Sequence, residues 1–504
     1  MDNQPFRLDR CPDLTPLRRA LEDRGYTRPA LADLLNPGNS DRPLEAAIDA
    51  AVAIRRTSGL SPLETLARLF VLAQPVPEQA AREALAPVDL EQMASVGLIR
   101  REGDGVRAAT ALLPFADLVL ACDFWRTVTG VPSRPDHVPG VGPATLAVAN
   151  LTVRRRVEAA LDLGTGSGFH AFLAAPHAER VIATDINPRA LNAAALNARL
   201  NGVENVEFRL GSLYEPVQDC QFDLIVSNPP FVISPKAEYC YRDSGLPGDT
   251  ISEQVIRNAP RFLREGGFAT VLFNWHHQDL DDWADRPKQW VAASGCDAWL
   301  LSSEHADPIG YASNWLRDEG AGGTKDYGRL LDEWLAYYGQ LGIRRISTGA
   351  VILRRRSGGT NWIRAEQAPP GGASGPCSDQ IQRVFAAQDL LESLSDEREL
   401  LEKSFVLAAD HELQYSMAAE SGRWSVRQAV LRQTQGFAFS GEVDRLLSTI
   451  LVRCDGRRTL GDVVSQVAAE VRADPEQAAR AATAVIGKLL ESGFLTVTSS
   501  PAAS

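Results

Sequence analysis

The middle of the chain alternates between short apolar runs and helical stretches, and this alternation constrains the fold more than any other feature. Five apolar runs of strand length lie between residues 131 and 367, namely VEAALDL, RVIATDI, VEFRL, FDLIVSNPPF and GGFATVLFNW. Helical stretches such as PRALNAAALNARLNG separate them. Strands that alternate with helices indicate a parallel sheet with crossover helices. We therefore predict an α/β domain over 131–367, closed by an antiparallel hairpin of 343–347 and 350–356.

The regions on either side of this domain are mostly helical in pattern. Over 1–130, short stretches with helical spacing precede two apolar-flanked strands around Gly103-Asp104-Gly105, which indicate a hairpin. This layout is typical of a winged helix, so we predict a winged-helix-like N-terminal domain. A Pro/Gly/Ser-rich stretch at 368–379 indicates a linker. For 380–504 we predict a second helical or winged-helix-like domain, because its last helices and strand repeat the layout of 60–100. Two unrelated helical modules with similar loops explain this likeness equally well.

Composition is that of a globular protein and gives no sign of a membrane segment or an export signal. Hydrophobic residues make up 44% of the 504 residues and charged residues 23%, close to globular averages. No apolar run approaches the roughly 20 residues that span a bilayer, and the first residues lack the pattern of a signal peptide. The seven cysteines include no CxxC pair, which favours reduced thiols in a cytoplasmic protein over a disulfide framework or a zinc site.

The charge balance bears on the partner. The formal net charge is −12, from 52 basic and 64 acidic residues. Because enzymes of nucleic acid usually carry a basic surface, this chain would need a local basic patch to bind one. The charge therefore favours a protein or peptide partner, with nucleic acid as the alternative. It favours neither a monomer nor an oligomer.

A glycine-rich turn follows the first buried strand of the α/β domain. Residues 162–168 read Asp-Leu-Gly-Thr-Gly-Ser-Gly, and a helix begins near Phe169. Glycines at alternate positions let the backbone turn sharply and approach a ligand closely, and the helix that follows presents free N–H groups. The spacing differs from the GxGxxG of dinucleotide-binding proteins, which argues against NAD. Alone, such a turn can also be a tight structural connection.

Two further polar elements lie at the ends of later strands. Asp185 ends the second strand, where a carboxylate can bind both hydroxyls of a ribose, and its alternative role is a helix N-cap before Pro188. Residues 228–231, Asn-Pro-Pro-Phe, follow the fourth strand. Two consecutive prolines cannot continue a ladder, so they leave carbonyl groups free to face a cleft. Ligands of open α/β sheets bind at this edge of the sheet.

In this order and spacing, DLGTGSG, TDIN and NPPF resemble the motifs of the class I S-adenosylmethionine-dependent methyltransferases. Within that family they resemble the subgroup that methylates planar nitrogen. This subgroup includes release-factor glutamine methyltransferases, ribosomal-RNA guanine methyltransferases and adenine DNA methyltransferases. The resemblance covers roughly 131–356. It implies a Rossmann-like sheet and S-adenosyl-L-methionine as the methyl donor.

The resemblance also implies roles for the cofactor site. The glycine turn would pass under the methionine part of the cofactor, with Asp162 near its amino group. Asp185 would hold the ribose and Ile186 would pack on the adenine. Many relatives carry an acid in the loop after the third strand, where this chain has Ser212, and 138–146 corresponds to a segment that closes over the ligands. The implied cofactor-binding residues are Asp162, Gly164, Thr165, Gly166, Gly168, Asp185, Ile186, Ser212, Leu213 and Asn228.

The same resemblance suggests how a planar nitrogen is methylated. An amide nitrogen is a poor nucleophile because its lone pair is delocalised. The Asn228 side-chain oxygen and the Pro229 carbonyl can each accept one hydrogen of an NH₂ group, which aims the lone pair at the methyl group and stabilises the developing charge. Phe231 would stack on the planar group. The implied catalytic residues are Asn228, Pro229 and Phe231, and the implied substrate-binding residues are Pro230 and Phe231. From their positions we also predict substrate contacts for Tyr241 and Arg242, which follow the motif, and for Asn274, which ends the fifth strand beside the expected cleft. A solvated loop is the alternative for Tyr241 and Arg242.

Alternatives to these roles remain open. The Asn-Pro-Pro-Phe motif can be a structural turn. We expect no metal, because the adjacent His276 and His277 on a strand point to opposite faces. The sequence thus predicts methyl transfer to a planar nitrogen, with a protein or peptide side-chain amide as the favoured acceptor. The alternatives are an exocyclic amine of rRNA, tRNA or DNA, a small metabolite, or a DNA-binding winged-helix regulator with a vestigial cofactor site.

Overall fold

The computed structural model describes residues 6–11, 13–37, 48–279, 282–318, 320, 322–358, 360–369, 372–420 and 422–498. The chain divides into two compact units. The first consists of Met1–Val148 with Arg156–Glu366, and the second of Ala149–Arg155 with Gln367–Ser504. Among the described residues, no helix is both long enough and apolar enough to cross a membrane.

The N-terminal part of the first unit is built from short helices and strands. The helices are α1 (Thr15–Asp23), α2 (Arg28–Leu35), α3 (Ala50–Arg56), α4 (Pro62–Phe70), α5 (Glu78–Leu85), α6 (Leu90–Val96) and α7 (Arg126–Thr129). The strands are β1 (Val76–Pro77), β2 (Ile99–Glu102), β3 (Gly105–Ala108), β4 (Ala111–Phe115) and β5 (Leu118–Cys122). Strands β1, β3 and β2 form a three-stranded sheet in that order, and β4 pairs with β5. The hairpin predicted around residue 104 is present, because Glu102 pairs with Gly105.

An eight-stranded sheet forms the centre of the first unit. Its strands are β6 (Val157–Leu163), β7 (Ala178–Asp185), β8 (Val206–Leu210), β9 (Phe222–Ser227), β10 (Leu263–His277), β11 (Cys296–Ala306), β12 (Arg345–Arg355) and β13 (Ile363–Gln367). Their order is β13-β11-β12-β10-β9-β6-β7-β8. The parallel strands β6 to β10 follow the 3-2-1-4-5 order of a doubly wound sheet. The order of the strands therefore reverses between β6 and β9, which is the point where such sheets bind ligands.

Helices connect these strands. They are α8 (Pro143–Leu151), α9 (Phe169–Ala174), α10 (Pro188–Leu200), α11 (Thr250–Phe262), α12 (Asp285–Val291), α13 (Pro308–Asp318) and α14 (Tyr327–Gln340). The start of α10 shows why the chain turns helical there. The side chain of Asn187 caps the helix by accepting from Arg189 N, and Pro188 occupies the first helical position.

The hairpin predicted from 343–347 and 350–356 is wrong. Residues Arg345–Arg355 form one continuous strand, β12, which pairs antiparallel with β10 on one side and β11 on the other. Gly349 lies inside this strand, where a Cβ atom would be 2.2 Å from the carbonyl oxygen of Leu301 and 3.0 Å from the ring of Trp275. This glycine permits a close approach of neighbouring chains rather than a turn.

The N-terminal elements share a core with helix α10. Ala190, Ala193 and Leu196 pack among N-terminal apolar side chains. Three asparagines of α10 also bond main-chain groups of the N-terminal part, each accepting from the N–H and donating to the C=O of one residue at 2.7–3.0 Å. The pairs are Asn192 with Phe6, Asn197 with Ala121, and Asn201 with Val119. Regions on both sides of residue 130 thus lie in one compact unit.

The second unit has a core of its own. Its elements are α15 (Ser378–Ser393), β14 (Ser404–Leu407), β15 (His411–Glu420), β16 (Arg423–Gln433), β17 (Ser440–Glu442), α16 (Arg445–Val452), α17 (Leu460–Val471), α18 (Pro475–Glu491) and β18 (Leu495–Thr498). Strands β15, β16 and β17 form one sheet, and β14 pairs with β18. Apolar residues of α16, α17 and α18, including Ile450, Val467 and Ile486, form the core.

Candidate functional site

The glycine-rich turn connects β6 to α9 in a conformation that favours glycine. Gly164, Gly166 and Gly168 have φ angles of +77°, +55° and +92°, in the left-handed region that residues with side chains disfavour. At Gly168 a Cβ atom would lie 2.4 Å from the ring of Phe172. At Gly164 and Gly166 it would meet no described atom within 4 Å. The third glycine is therefore needed for packing, and the first two leave open space above the turn.

Asp162 lies buried at the end of β6 with one oxygen unpartnered. Its Oδ2 accepts hydrogen bonds from Thr165 Oγ1 at 2.6 Å and from Ala171 N at 2.9 Å. Its Oδ1 has no hydrogen-bond partner in the described part of the chain. Burial raises the pKa of this carboxyl to about 7. A cationic group that reached this carboxylate would favour its charged form.

Asp185 joins the second strand to the glycine turn. Its Oδ2 accepts from Gly166 N at 2.9 Å and its Oδ1 accepts from Asn187 N at 2.8 Å. Burial raises the pKa of Asp185 above its usual value. The next residue, Ile186, is 62% exposed although it is apolar. The acid and an exposed apolar side chain thus stand side by side at the end of β7.

A cavity of about 460 Å³ opens at these strand ends. The predicted site residues that line it are Gly164, Thr165, Gly166, Asp185, Ile186, Ser212, Leu213, Asn228, Pro229, Pro230 and Tyr241. Four residues of the predicted closing segment also line it, namely Val138, Pro139, Gly140 and Thr145. The predicted residues that lie outside its lining are Asp162, Gly168, Phe231, Arg242 and Asn274.

The side-chain oxygen of Asn228 lies in the wall of this cavity. This Oδ1 atom is buried and has no hydrogen-bond partner in the residues that the structure describes. A buried acceptor without a partner costs free energy, so it is suited to accept a hydrogen bond from a ligand. Pro229 and Pro230 follow it along the wall. Phe231 is buried, does not line the cavity, and forms an isolated backbone β-bridge with Asp243.

The sequence predicts that Arg242 and Asn274 bind the substrate, but neither residue lines the cavity. Arg242 is 4% exposed and bonds the carboxylate of Asp243 through Nε at 2.8 Å and Nη2 at 2.9 Å. Asn274 donates from Nδ2 to the hydroxyl of Tyr311 at 2.5 Å, and its buried Oδ1 has no hydrogen-bond partner among the described residues. Arg242 is committed to internal contacts, so we assign it a structural role, whereas Asn274 lies outside the lining of the cavity.

Sequence reasoning missed the residues that hold the segment 134–141 against the cavity. Asp123 Oδ1 accepts a hydrogen bond from Arg189 Nη2 at 2.8 Å. Its Oδ2 accepts one from the main-chain N–H of Val138 at 2.9 Å. Arg189 Nη1 also donates to the carbonyl of Asp136 at 2.8 Å. His137 lines the cavity beside Tyr241, with ring centroids 5.4 Å apart, and burial lowers the pKa of its imidazole. Arg189 follows Asp185 closely, but nothing in the sequence links it to Asp123.

The two adjacent histidines of β10 serve different partners. His276 Nδ1 lies 3.1 Å from Asp249 Oδ2, and His277 Nε2 lies 2.7 Å from Ser347 Oγ. Burial lowers the pKa of His277 to about 4, so its ring is neutral at pH 7. Among the described residues, no group of three His, Cys, Asp or Glu side chains is placed to hold a metal ion.

The arrangement fits S-adenosylmethionine. The unpartnered oxygen of Asp162 can accept from an amino group, directly or through water. The open space above Gly164 and Gly166 admits a ligand close to the backbone. Asp185 and Ile186 supply a carboxylate for ribose hydroxyls and an apolar surface for a base. When bound, the cofactor supplies an electrophilic methyl group.

Comparisons with known proteins agree with this site. Residues 141–281 match the family described as the methyltransferase small domain. Residues 23–109 and 382–497 match two domains of unknown function, DUF7059 and DUF7782.

Several curated relatives are glutamine methyltransferases. The release factor glutamine methyltransferase of Xylella fastidiosa is 34% identical over 181 residues, which are 32% of this chain and 64% of that protein. The ribosomal protein uL3 glutamine methyltransferase of Bradyrhizobium diazoefficiens is 35% identical, over 33% of this chain and 57% of that protein. The release factor glutamine methyltransferase of Salmonella typhimurium is 30% identical, over 38% of this chain and 70% of that protein.

The alignment thus spans less than two thirds of the first of these relatives. The alignment with the Salmonella protein spans more than two thirds of that protein. The family match over 141–281 includes the glycine turn, the carboxylate after β7 and the Asn-Pro-Pro-Phe motif. The chain belongs to the class I S-adenosylmethionine-dependent methyltransferases, in the N-methyltransferase subgroup that includes the glutamine methyltransferases.

Proposed function

We propose that this protein transfers a methyl group from S-adenosylmethionine to the side-chain amide of a glutamine in a protein. The observation that carries the proposal is the buried, unpartnered Oδ1 of Asn228 in the wall of the cavity. An amide NH₂ supplies the hydrogen-bond donor that this oxygen lacks. Oxygen or carbon acceptors would not offer two hydrogens to Asn228 and the adjacent Pro229 carbonyl.

The residues of the site divide between the two ligands. The glycine turn, Asp162 and Asp185 bind the cofactor, and Asn228 with the Pro229 carbonyl orients the acceptor nitrogen. Orienting both hydrogens of the NH₂ directs its lone pair and stabilises positive charge as it develops on nitrogen. The proton leaves after transfer, so the site needs no strong general base.

Two observations favour a protein over a nucleic acid as the acceptor. The relatives named above act on a release factor and on a ribosomal protein. The net charge of −12 opposes non-specific binding of a polyanion. An exocyclic amine of RNA or DNA and a small metabolite are the alternative acceptors.

We propose winged-helix-like folds for the flanking regions. The N-terminal order of α4, β1, α5, α6, β2 and β3, with sheet order β1-β3-β2, supports this for the first region. Three helices followed by β18 support it for the second. In a DNA-binding regulator with a vestigial site these regions would carry the function, but the complete cofactor site argues for an enzyme.

Methyl transfer from labelled cofactor tests the proposal. Purified full-length protein is incubated with methyl-labelled S-adenosylmethionine and, in separate reactions, unmethylated release factor, unmethylated ribosomal protein uL3 and total RNA. We expect label on a glutamine amide of a protein, located by mass spectrometry, and labelling slower by about a hundredfold or more with the Asn228→Ala variant. Label in RNA alone would refute the protein acceptor. Cofactor binding with no transfer to any fraction of a cell extract would favour the regulator.

A further inference from the structure

A loop of residues 231–249 follows the Asn-Pro-Pro motif and contributes Cys240, Tyr241 and Ser244 to the cavity. We name it the acceptor loop, and we infer that helices α13 and α14 are a scaffold that fixes its position. Within this scaffold we assign Tyr311 and Tyr338 as positioning residues for methyl transfer. The role of the loop in holding the methyl acceptor rests on the proposed function. The attachment of the loop to the two helices does not.

The backbone of Ile233 is held from both sides by tyrosine hydroxyls. Its N–H donates to the hydroxyl of Tyr311 on α13 at 3.2 Å, and its C=O accepts from the hydroxyl of Tyr338 on α14 at 2.8 Å. Tyr311 also accepts from Asn274 on β10 at 2.5 Å. Both tyrosines are buried, and burial raises the pKa of Tyr311 to about 12. The loop is thereby bonded to Tyr338 of α14 and, through the neutral Tyr311 hydroxyl, to Asn274 of the sheet.

A second fixed point is the ion pair inside the loop. The carboxylate of Asp243 accepts from both Arg242 nitrogens already described, from Ser234 Oγ at 3.0 Å, and from Glu238 N and Tyr239 N at 3.1 Å each. This one carboxylate therefore bonds residues at both ends of the segment 234–242.

Aromatic rings from the scaffold enclose the arginine of this pair. The Arg242 guanidinium lies 5.8 Å from the ring centroid of Trp315 on α13 and 6.0 Å from that of Trp334 on α14. Tyr239 of the loop itself lies at 5.0 Å. Cation–π contacts of a desolvated arginine are favourable and specific in geometry, so the loop is anchored to both helices.

Two outer contacts complete the attachment. Lys236 Nζ lies 3.0 Å from Glu333 Oε2, and Gly248 N donates to the Tyr337 hydroxyl at 2.9 Å. Together with Ile233 and Arg242, these residues attach the loop along its whole length to the same two helices. A loop held in this way is formed before substrate arrives, so it positions the acceptor rather than closing on it.

The residues proposed to bind the cofactor lie outside the acceptor loop, on β6 and β7 and in the turns that follow β6, β7, β8 and β9. Loosening the acceptor loop should therefore change how the acceptor is held and leave cofactor binding unchanged. A mere loss of folding would change both.

Full-length Tyr311→Phe and Tyr338→Phe each remove one hydroxyl and keep the ring. The matched control is Tyr327→Phe on α14, whose hydroxyl bonds Ser313 of α13 at 2.9 Å instead of the loop. Three quantities are measured, namely amide hydrogen exchange of residues 231–249, the dissociation constant for S-adenosylmethionine, and kcat and KM with unmethylated release factor.

We expect exchange near Ile233 to accelerate about tenfold or more in both test variants and to stay unchanged in the control. We expect KM for the release factor to rise about fivefold or more, with cofactor affinity unchanged. Unchanged exchange and kinetics in both test variants would overturn the inference, as would equal effects in Tyr327→Phe. If exchange accelerates while even the wild type fails to methylate the release factor, the scaffold is supported and the proposed acceptor is refuted.

Discussion

The side-chain amide of Asn197 bonds both main-chain groups of Ala121, accepting from the N–H at 2.7 Å and donating to the C=O at 3.0 Å. Its second amide hydrogen reaches the carbonyl of Ser167 in the glycine turn at 2.9 Å. One buried side chain on α10 therefore connects β5 of the N-terminal part to the turn that lines the cofactor cavity.

Asn197→Ala should lower the free energy of unfolding by about 3 kcal/mol, because it leaves several buried main-chain groups without partners. Urea unfolding followed by tryptophan fluorescence measures this, since every tryptophan except Trp424 lies in the first unit. Asn258→Ala is the control. Asn258 is half-buried and makes one bond within its own helix, to Gln254 O at 2.7 Å, so its loss should cost less than about 1 kcal/mol. Equal costs for the two variants would contradict the bridging role.

Cofactor binding should depend on pH through Asp162. The pKa of this carboxyl is about 7 in the free protein, and a bound amino group needs the carboxylate form. Binding therefore expels a proton below pH 7, and affinity should rise up to about tenfold per pH unit from pH 5.5 to 7. Above about pH 8 it should fall again as the α-amino group of the cofactor loses its charge.

Titration calorimetry across this range measures the effect. Asp162→Asn should bind more weakly and lose the acid-side dependence, since the amide does not titrate. An unchanged slope in this variant would place the titrating group elsewhere.

Asn228 should separate chemistry from cofactor binding. Asn228→Ala should reduce kcat about a hundredfold or more, the scale of removing one oriented polar group that acts in the transition state. Its affinity for S-adenosylmethionine should stay within about twofold of wild type, because in the proposed site Asn228 faces the acceptor rather than the methionine part of the cofactor. Asn228→Asp is the matched variant and should be milder, since a carboxylate still accepts the hydrogen bond. Full turnover by Asn228→Ala would make the motif a structural turn.

Acid should weaken the first unit through Asp249. The guanidinium of Arg286 bonds this buried carboxylate at 2.6 and 2.7 Å, and His276 lies beside it. Despite burial, these partners hold the pKa of Asp249 at about 2. A depressed carboxyl pKa contributes stability above the unfolded-state value near 4 and loses it as pH falls toward 2.

The stabilisation at pH 7 is about 2 kcal/mol. The difference in unfolding free energy between wild type and Asp249→Asn should therefore shrink between pH 5 and pH 3. If the difference in unfolding free energy between wild type and Asp249→Asn stayed constant over this pH range, this ion pair would not be the source of the acid sensitivity.

Gly349→Ala should destabilise the sheet by about 3 kcal/mol or more, because the new Cβ would overlap the carbonyl of Leu301. Gly339→Ala in α14 is the matched control. No described atom lies within 4 Å of its Cβ position, so alanine there should stabilise by about 0.5–1 kcal/mol. Thermal unfolding compares the two, and equal shifts would contradict the packing argument.

The cofactor side of the site could be predicted from the sequence because its residues lie at strand ends. Parallel strands bring Gly164, Asp185 and Asn228 to one edge of the sheet whatever the surrounding structure. Each of these residues is also part of a short local motif, so no long-range information was needed.

The rest of the site depends on contacts between distant parts of the chain. Arg242 was expected at the substrate because it is charged and follows the motif, but Trp315 and Trp334 enclose it. Asp123 and Arg189 meet only because the N-terminal part packs on α10. The runs 343–347 and 350–356 were predicted to form a hairpin, but residues on both sides of Gly349 form one strand. Glycine occurs both in turns and at close approaches of chains, and only the neighbouring strands distinguish the two.

Strand β12 lies between β10 and β11 and pairs with both. The pairing of β12 with its two neighbours therefore does not depend on the length of the connection between β11 and β12. That connection contains α13 and α14. In evolutionary terms, this is a place where insertions can diverge without disturbing the strands that bind the methyl donor. Homologues that keep the glycine turn and the Asn-Pro-Pro-Phe motif but differ in this connection should share a donor and differ in what they methylate.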